Sequence, residues 1–258
     1  MNFRGKTEEY INDKISSDGA GISILIDPID YPSPEKAVSA GVKAGEAGAD
    51  IVLIGGSIGV QGKVLDAVTK EIKSKVSVPV VLFPGNIATL TRYADAVYFM
   101  SLLNSRNSYW ISQAQTLAAP IVKGIGIEPL PIGYIVVEPG GTVGWVGDVN
   151  LVPRNKPAIA AALALAGQYN GNRLILTDAG SAPKEGHIPL EMIKAVSSAI
   201  DVPYIVGGGV RTPKEASSVI SSGADWVQIG TAVEGEVKVE DKVRGLVKAV
   251  KEAGKKKR

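Results

Sequence analysis

The stretch "PYIVGGGVRTPKEA", Pro203–Ala216, decides the fold. A short apolar run, Tyr204–Val206, is followed at once by three glycines, Gly207–Gly209, then by Arg211, a Thr-Pro pair and a segment with helical character. That order reads as a buried strand, a loop of bare backbone and a helix start. A strand that only had to turn would manage with one glycine, so the other two need a reason. Glycines ahead of a helix supply one: backbone N–H groups can approach an anion with no Cβ in the way, and the helix dipole favours negative charge there.

Outward from Pro203 the same alternation recurs. Apolar runs at Gly21–Asp27, Asp50–Ile54, Val78–Phe83, Ala94–Phe99, Gly133–Val137, Arg173–Thr177, Pro203–Val206 and Asp225–Ile229 read as strands. Helical spacing falls on Ser33–Ala49, Lys63–Lys75, Ser108–Ala118, Pro157–Ala166, Leu190–Ile200, Pro213–Ser222 and Val239–Ala253. The strand runs are continuously apolar, as parallel strands covered on both faces are. GADIV and GADWV before strands two and eight, with VPV and VPY before three and seven, mark repeated helix-to-strand connections. Eight β/α units in 258 residues predict a (β/α)8 TIM barrel: a single domain over residues 1–258, with a short N-terminal helical extension and a basic C-terminal tail. A doubly wound open sheet is the runner-up, but it would carry its glycine fingerprint on the first strand and not the seventh.

In such a barrel the loops after the strands open on one face and build the active site there. Polar and glycine-rich residues gather at those loops. Asp27 ends strand one, Gly55-Gly56-Ser57 follows strand two, Pro84-Gly85-Asn86 strand three and Glu138 strand five. Asp178-Ala179-Gly180-Ser181 follows strand six, Gly207-Gly208-Gly209 strand seven and Gly230-Thr231 strand eight. The last two loops commonly form a phosphate site in this fold, and Gly180 and Ser181 would close the same nest. Tight βα turns are the plainer explanation of the glycines, yet three such loops on consecutive strands favour a phosphorylated ligand. Asp27 and Ser57 offer oxygen ligands suited to Mg²⁺, which takes few protein oxygens and keeps waters or phosphate oxygens. Asp27 serves equally as a cap or ion-pair partner, and Asp30 competes as a ligand. Around strands three to five an apolar set including Phe83, Tyr98, Phe99, Met100 and Trp110 reads as core, as subunit interface, or as the greasy half of a pocket.

Composition removes whole classes. A net charge of +2 gives no electrostatic pull toward nucleic acid. The absence of cysteine excludes disulfides and thiolate metal sites, and one histidine, His187, cannot anchor a multi-His centre. The charged N-terminus MNFRGKTEEYINDK has no apolar core of a signal peptide. No run reaches the roughly 18 apolar residues a bilayer span needs. The expectation is a cytoplasmic protein whose C-terminal GKKKR is a solvated tail.

Several long stretches carry a resemblance. LIDP at Leu25–Pro28, GADIVLIGGSIG at Gly48–Gly59, FPGNIATLTRYADAVYFMSLLNSRNSYWISQAQTLAAPIVK at Phe83–Lys123, and Pro203–Ala232 through GADWVQIGTA resemble the geranylgeranylglyceryl phosphate synthases and related PcrB-like prenyltransferases. The likeness is to the larger, group II branch. It implies transfer of a geranylgeranyl group from geranylgeranyl diphosphate to the C3 hydroxyl of sn-glycerol 1-phosphate, with diphosphate released. It also implies Mg²⁺ on Asp27 and Ser57, glycerol phosphate on Gly207, Gly208, Gly209, Gly230 and Thr231, and a homo-oligomer, dimer or hexamer. A lipid-like substrate and product further imply transient contact with a membrane and no nucleic-acid partner.

The family's Tyr-Leu-Glu-Ala-Gly-Ser-Gly segment falls on Leu176, Thr177, Asp178, Ala179, Gly180, Ser181 and Ala182, all read as acceptor-binding, with Asp178 the candidate proton acceptor or positioning group. Two departures stand out. A leucine replaces the tyrosine and an aspartate the glutamate, leaving a neighbouring tyrosine, Tyr134 or Tyr169, to supply the missing hydroxyl. After strand one, Asp27-Pro28-Ile29-Asp30-Tyr31 carries an apparent one-residue insertion and lacks the family lysine. The competing readings are another phosphate-binding barrel, isomerase or aldolase-like with Lys123 as its one Schiff-base candidate, a related prenyltransferase with a different chain length or acceptor, and a barrel that binds phosphate without catalysis.

Overall fold

The computed structural model describes residues 5–56, 58–235 and 238–257. Parallel strands close a barrel in chain order: β1 (Gly21–Ile26), β2 (Ile51–Gly56), β3 (Val80–Pro84), β4 (Ala96–Leu102), β5 (Glu128–Val136), β6 (Leu174–Asp178), β7 (Tyr204–Gly207) and β8 (Trp226–Ile229). β8 returns to β1 through Ile22↔Val227 and Ile24↔Ile229, so no sheet edge is left open. The helices are α1 (Lys6–Asp18), α2 (Pro34–Glu46), α3 (Gly62–Lys75), α4 (Ala114–Ile125), α5 (Gly141–Val146), α6 (Pro157–Tyr169), α7 (Leu190–Ser197), α8 (Pro213–Ser221) and α9 (Val239–Lys257). Among the described residues no helix is long and apolar enough to cross a membrane.

Alternation along each strand splits the apolar residues between two cores. Ile22, Ile24 and Ile26 face the helices, whereas Leu53, Leu130, Ile132, Leu176 and Trp226 fill the barrel interior. The N-terminal extension is the floor of that interior: Ile11, Tyr10 and Ile15 of α1 pack into the inner cluster. Its first turn is tied down by Glu128, whose carboxylate accepts the N–H groups of Thr7 and Glu8 at 2.7 and 2.9 Å. Acceptors of this kind suit the N–H groups that a helix start leaves free.

The recurring Ala-Asp ahead of three strands has a structural cause. Asp50, Asp95 and Asp225 each accept an N–H from the preceding strand, of Ile22, Val80 and Tyr204 respectively. Each is also paired with a lysine, Lys251, Lys73 or Lys257. These aspartates clip neighbouring strands together at the end of the barrel opposite the loops that follow the strands.

Three local features differ from the sequence reading. β5 begins at Glu128, five residues before Gly133, despite Pro129 and Pro131. The Pro131 carbonyl accepts from Arg173 N–H, which puts both proline nitrogens on the β6 side, below the point where β6 begins. No ladder bond is lost there. The helix expected over Ser108–Ala118 is a π turn at Tyr109–Gln113 continuing as α4 to Ile125, with the exposed Pro120 inside it. Finally, residues 85–95 between β3 and β4 form turns with no helix, so the outer helical jacket has a gap on that side.

A two-ended candidate active site at the barrel mouth

A cavity of about 460 Å³ opens where the strands end. One end is rich in oxygen and short of cations. Asp27, just past β1, caps a turn by accepting Ile29 N–H at 3.3 Å. Burial pushes its carboxyl up to about 7, the charges of Asp30 and Glu234 add to the rise, and the Ile29 N–H opposes it. Glu234 is raised too, by burial and then by Asp30, against a hydrogen bond with Thr231. The buried hydroxyl of Tyr31 has no hydrogen-bond partner. Among the described residues neither Asp27, Asp30 nor Glu234 forms an ion pair with a lysine or arginine.

This donor set fits Mg²⁺. Every donor is a hard oxygen, Asp27 and Glu234 are destabilised in their charged form, and a cation would relieve them. Among the described residues no group of three or more acidic or histidine side chains makes a full metal cage. Position 57, the second expected ligand, lies outside the described residues. Gly56 passes so close to the Asp27 carboxylate that a Cβ there would collide with it.

Next around the mouth is the glycine cradle, where two causes share the three glycines. Gly208 and Gly209 have φ of 75° and 77°, and a Cβ on Gly208 would lie 2.5 Å from Asp178 Oδ1. Gly207 is extended, but a Cβ would come within 3.3 Å of the same carboxyl. Close approach of the β6 loop therefore demands glycine here before any ligand does. The helix start expected to add its N–H groups is already occupied: Thr212 and Glu215 form a capping box, and Glu215 accepts from Arg211 and Thr212 N–H. An anion at this mouth meets the backbone of Gly208, Gly209, Gly230 and Thr231, which line the cavity with Gly180, Ser181, Ala182 and Arg211.

Asp178 stands between cradle and barrel axis. It is 6 % exposed; Oδ1 accepts Gly180 N–H at 2.7 Å and Oδ2 accepts the Tyr134 hydroxyl at 3.1 Å. Burial raises its carboxyl, while both hydrogen bonds pull it back down. Tyr134 thus brings a hydroxyl to the carboxylate from β5, the position paired in register with Leu176. Tyr169, the other tyrosine considered, is 76 % exposed at the end of α6 and far from this role.

The opposite end of the cavity is apolar. It runs from Phe83, Tyr98 and Met100 past Phe99 and Leu90 to Ala118 and Val122 of α4. Tyr98 faces the barrel interior and Phe99 the outer core. One cavity can touch both because no helix covers β4 at residues 85–95. The Phe83 ring meets Tyr98 edge-on at 5.4 Å and Tyr134 at 5.9 Å, making an aromatic wall where the two ends join.

Not every expected residue reaches this space. Thr177 points outward, its hydroxyl 2.7 Å from that of Tyr204. Ala179 is buried in the outer core and Leu176 in the inner one. None of the three lines the cavity, because strand alternation turns Thr177 and Ala179 away from Asp178 and leaves Leu176 a layer below it. Gly207 stays in the strand. Lys123 sits exposed on α4, and no lysine lines the cavity among the described residues, which removes the basis for a Schiff-base aldolase. Glu234 and Gln228 line the cavity without having been expected there. Only Gln228 carries a sequence signal, as a polar residue inside the apolar run DWVQI.

Residues 23–250 match the sequence profile of the PcrB family. A protein of Thermococcus sibiricus named geranylgeranylglyceryl phosphate synthase is 52 % identical over 251 residues, covering 96 % of this chain and 97 % of its own. A protein of the same name from Pyrococcus horikoshii is 51 % identical over 237 residues, 92 % of each chain. The crystal structure of (S)-3-O-geranylgeranylglyceryl phosphate synthase from Thermoplasma acidophilum, in complex with its substrate sn-glycerol-1-phosphate, superposes with a TM-score of 0.91 at 35 % identity, over 96 % of this chain and 99 % of that one.

Proposed function

The chain belongs to the PcrB family, and from that premise we propose that it joins a geranylgeranyl group, carried in as its diphosphate, to the C3 hydroxyl of sn-glycerol 1-phosphate. The single observation that carries this reading is the two-ended cavity: an oxygen-rich, cation-poor mouth continuous with an apolar gallery. A substrate with a diphosphate end, carried in with its divalent cation, and one long hydrocarbon end is complementary to both.

The backbone at Gly208, Gly209, Gly230 and Thr231 holds the acceptor's phosphate. Asp178, fixed by Gly180 N–H and the Tyr134 hydroxyl, positions the C3 hydroxyl and takes its proton as the ether bond forms. The electron pair of the breaking allylic C–O bond leaves with diphosphate. Asp27, with the potential of Asp30 and Glu234 beside it, would hold Mg²⁺. When bound, that ion neutralises the diphosphate's growing charge. The gallery excludes water from the allylic carbon, and the faces of Phe83 and Tyr98 favour its developing positive charge.

A homo-oligomer, dimer or hexamer, is part of the same reading. Trp145, 85 % exposed, and Leu117, 56 % exposed, are the kind of apolar surface that association would cover. We place the reaction in the cytoplasm, with brief contact at a bilayer when the lipid is loaded or released.

Purified protein incubated with Mg²⁺, geranylgeranyl diphosphate and each enantiomer of glycerol phosphate is expected to yield an ether product from sn-glycerol 1-phosphate, read by mass spectrometry. No ether from either enantiomer, with glycerol phosphate still bound, would leave only a binding barrel.

A further inference from the structure

One polar group facing the cavity has no role in the scheme above. Gln228 sits in the middle of β8, is 4 % exposed, and lines the cavity. Its buried Oε1 has no hydrogen-bond partner. A buried amide oxygen left unmade costs about 1–3 kcal/mol, so in the free protein this group is a liability that an apolar residue would not carry.

Its place in the sheet shows what it faces. Asp178, Gly207 and Gln228 are register partners in one row across β6, β7 and β8. At the ~4.8 Å spacing of strands, the two polar residues stand about 10 Å apart at their Cα atoms. The residue between them has no side chain. The row is therefore a notch with a carboxylate on one wall, an unsatisfied amide on the other, and the Gly208–Gly209 cradle directly above.

We propose that Gln228 binds the secondary hydroxyl of the glycerol phosphate acceptor and thereby sets which enantiomer is accepted. This rests on the acceptor assignment made above. The two enantiomers share a phosphate and a primary hydroxyl; with those two superposed, the C2 hydroxyls point to opposite sides. Two points of attachment cannot tell them apart. The cradle and Asp178 are two points, and Gln228 is the third, its unpartnered amide oxygen meeting an O–H donor once the side chain turns toward the cavity it lines. A site built to hydrogen-bond a hydroxyl penalises a ligand that leaves its buried partner unpaired.

The test uses Gln228→Leu and the near-isosteric Gln228→Met in the full chain. Binding of each glycerol phosphate enantiomer is measured by calorimetry with Mg²⁺ present, and turnover is measured in parallel. Both variants are expected to lose about 10- to 100-fold in affinity and in kcat/KM for sn-glycerol 1-phosphate, the equivalent of one hydrogen bond and its unpaired partner. The preference between enantiomers should shrink while KM for geranylgeranyl diphosphate is unchanged. Without ligand, the melting temperature of Gln228→Met should equal or exceed that of the wild type, since an unsatisfied buried group has been removed. An unchanged enantiomer ratio in both variants would overturn the proposal, and so would an equal loss on both enantiomers. Absence of ether product from the wild type would defeat the reading of the reaction alone, because the calorimetric ratio is obtained without prenyl transfer.

Discussion

The two ends of the barrel use the same residue types in opposite ways. At the closed end, Asp50 accepts Ile22 N–H at 2.9 Å and meets Lys251 at 2.7 Å, and Glu8 meets Arg173 at 2.8 Å. At the open end, Asp27, Asp30, Glu234 and Asp178 have no lysine or arginine partner among the described residues. At the closed end these pairs hold strands together, whereas the buried Asp178 and the half-buried Asp27 and Glu234 at the open end lack a cation, which raises the energy of the empty protein. The difference separates the two ends: the closed end is satisfied by the chain itself, and the open end is not.

The largest test of that contrast is Asp27→Asn. If the open end waits for a cation, turnover should fall roughly 10³-fold, the several kcal/mol a bound metal contributes. The metal-free melting temperature at pH 8 should rise at the same time. A fall in both, followed by steady-state rates and thermal melts, would make Asp27 a structural residue like Asp50. The converse substitution, Lys251→Met at the closed end, should cost about 3 kcal/mol in denaturant unfolding because the buried Asp50 keeps only the longer, 3.7 Å contact with Lys14. Its kcat per folded molecule should not change; a loss of kcat would mean that the ends are coupled.

The pH dependence follows from the sign of the Asp27 shift. Its carboxyl is raised from 3.8 to about 7 in the folded protein. The folded state thus binds the proton more tightly, and without metal this stabilisation is present below the unfolded value and lost as pH rises toward 7. Mg²⁺ must displace that proton at low pH, so the gain in melting temperature on adding Mg²⁺ should be larger at pH 8 than at pH 5.5. An equal gain at both would place the ion elsewhere. The smallest effect is expected for Tyr134→Phe. Asp178 loses a donor that holds its carboxyl down, so the acid limb of the kcat/KM profile should move upward, and activity should drop by about 1 kcal/mol, some fivefold. An unmoved limb would assign Tyr134 to packing.

Legibility in the sequence followed the same division. Parallel strands buried on both faces leave continuous apolar runs, and the eight runs placed the barrel and its mouth. The repeated Ala-Asp before strands was visible as a pattern, but its clip to a neighbouring strand depends on register. At the mouth, Asp27, Asp178 and the glycines could be read because they directly follow strand ends. Glu234 could not: it joins Asp27 only through the closure of β8 onto β1, which brings together positions some 200 residues apart. Thr177 was misplaced for the opposite reason, since a motif was carried over as a block while the strand sends alternate residues to opposite faces. The missing helix after β3 was passed over because a tally of strands does not register an absent connection.

That absence has a consequence for what the empty protein is. Every strand of the barrel is paired, yet between residues 85 and 95 the outer layer has no apolar helical face to lay over Phe99 and its neighbours. An isoprenoid chain seated there would bury the surface that a helix buries elsewhere around the ring. The hydrocarbon substrate would then be the missing member of the outer layer, and each turnover would finish the fold and then undo it.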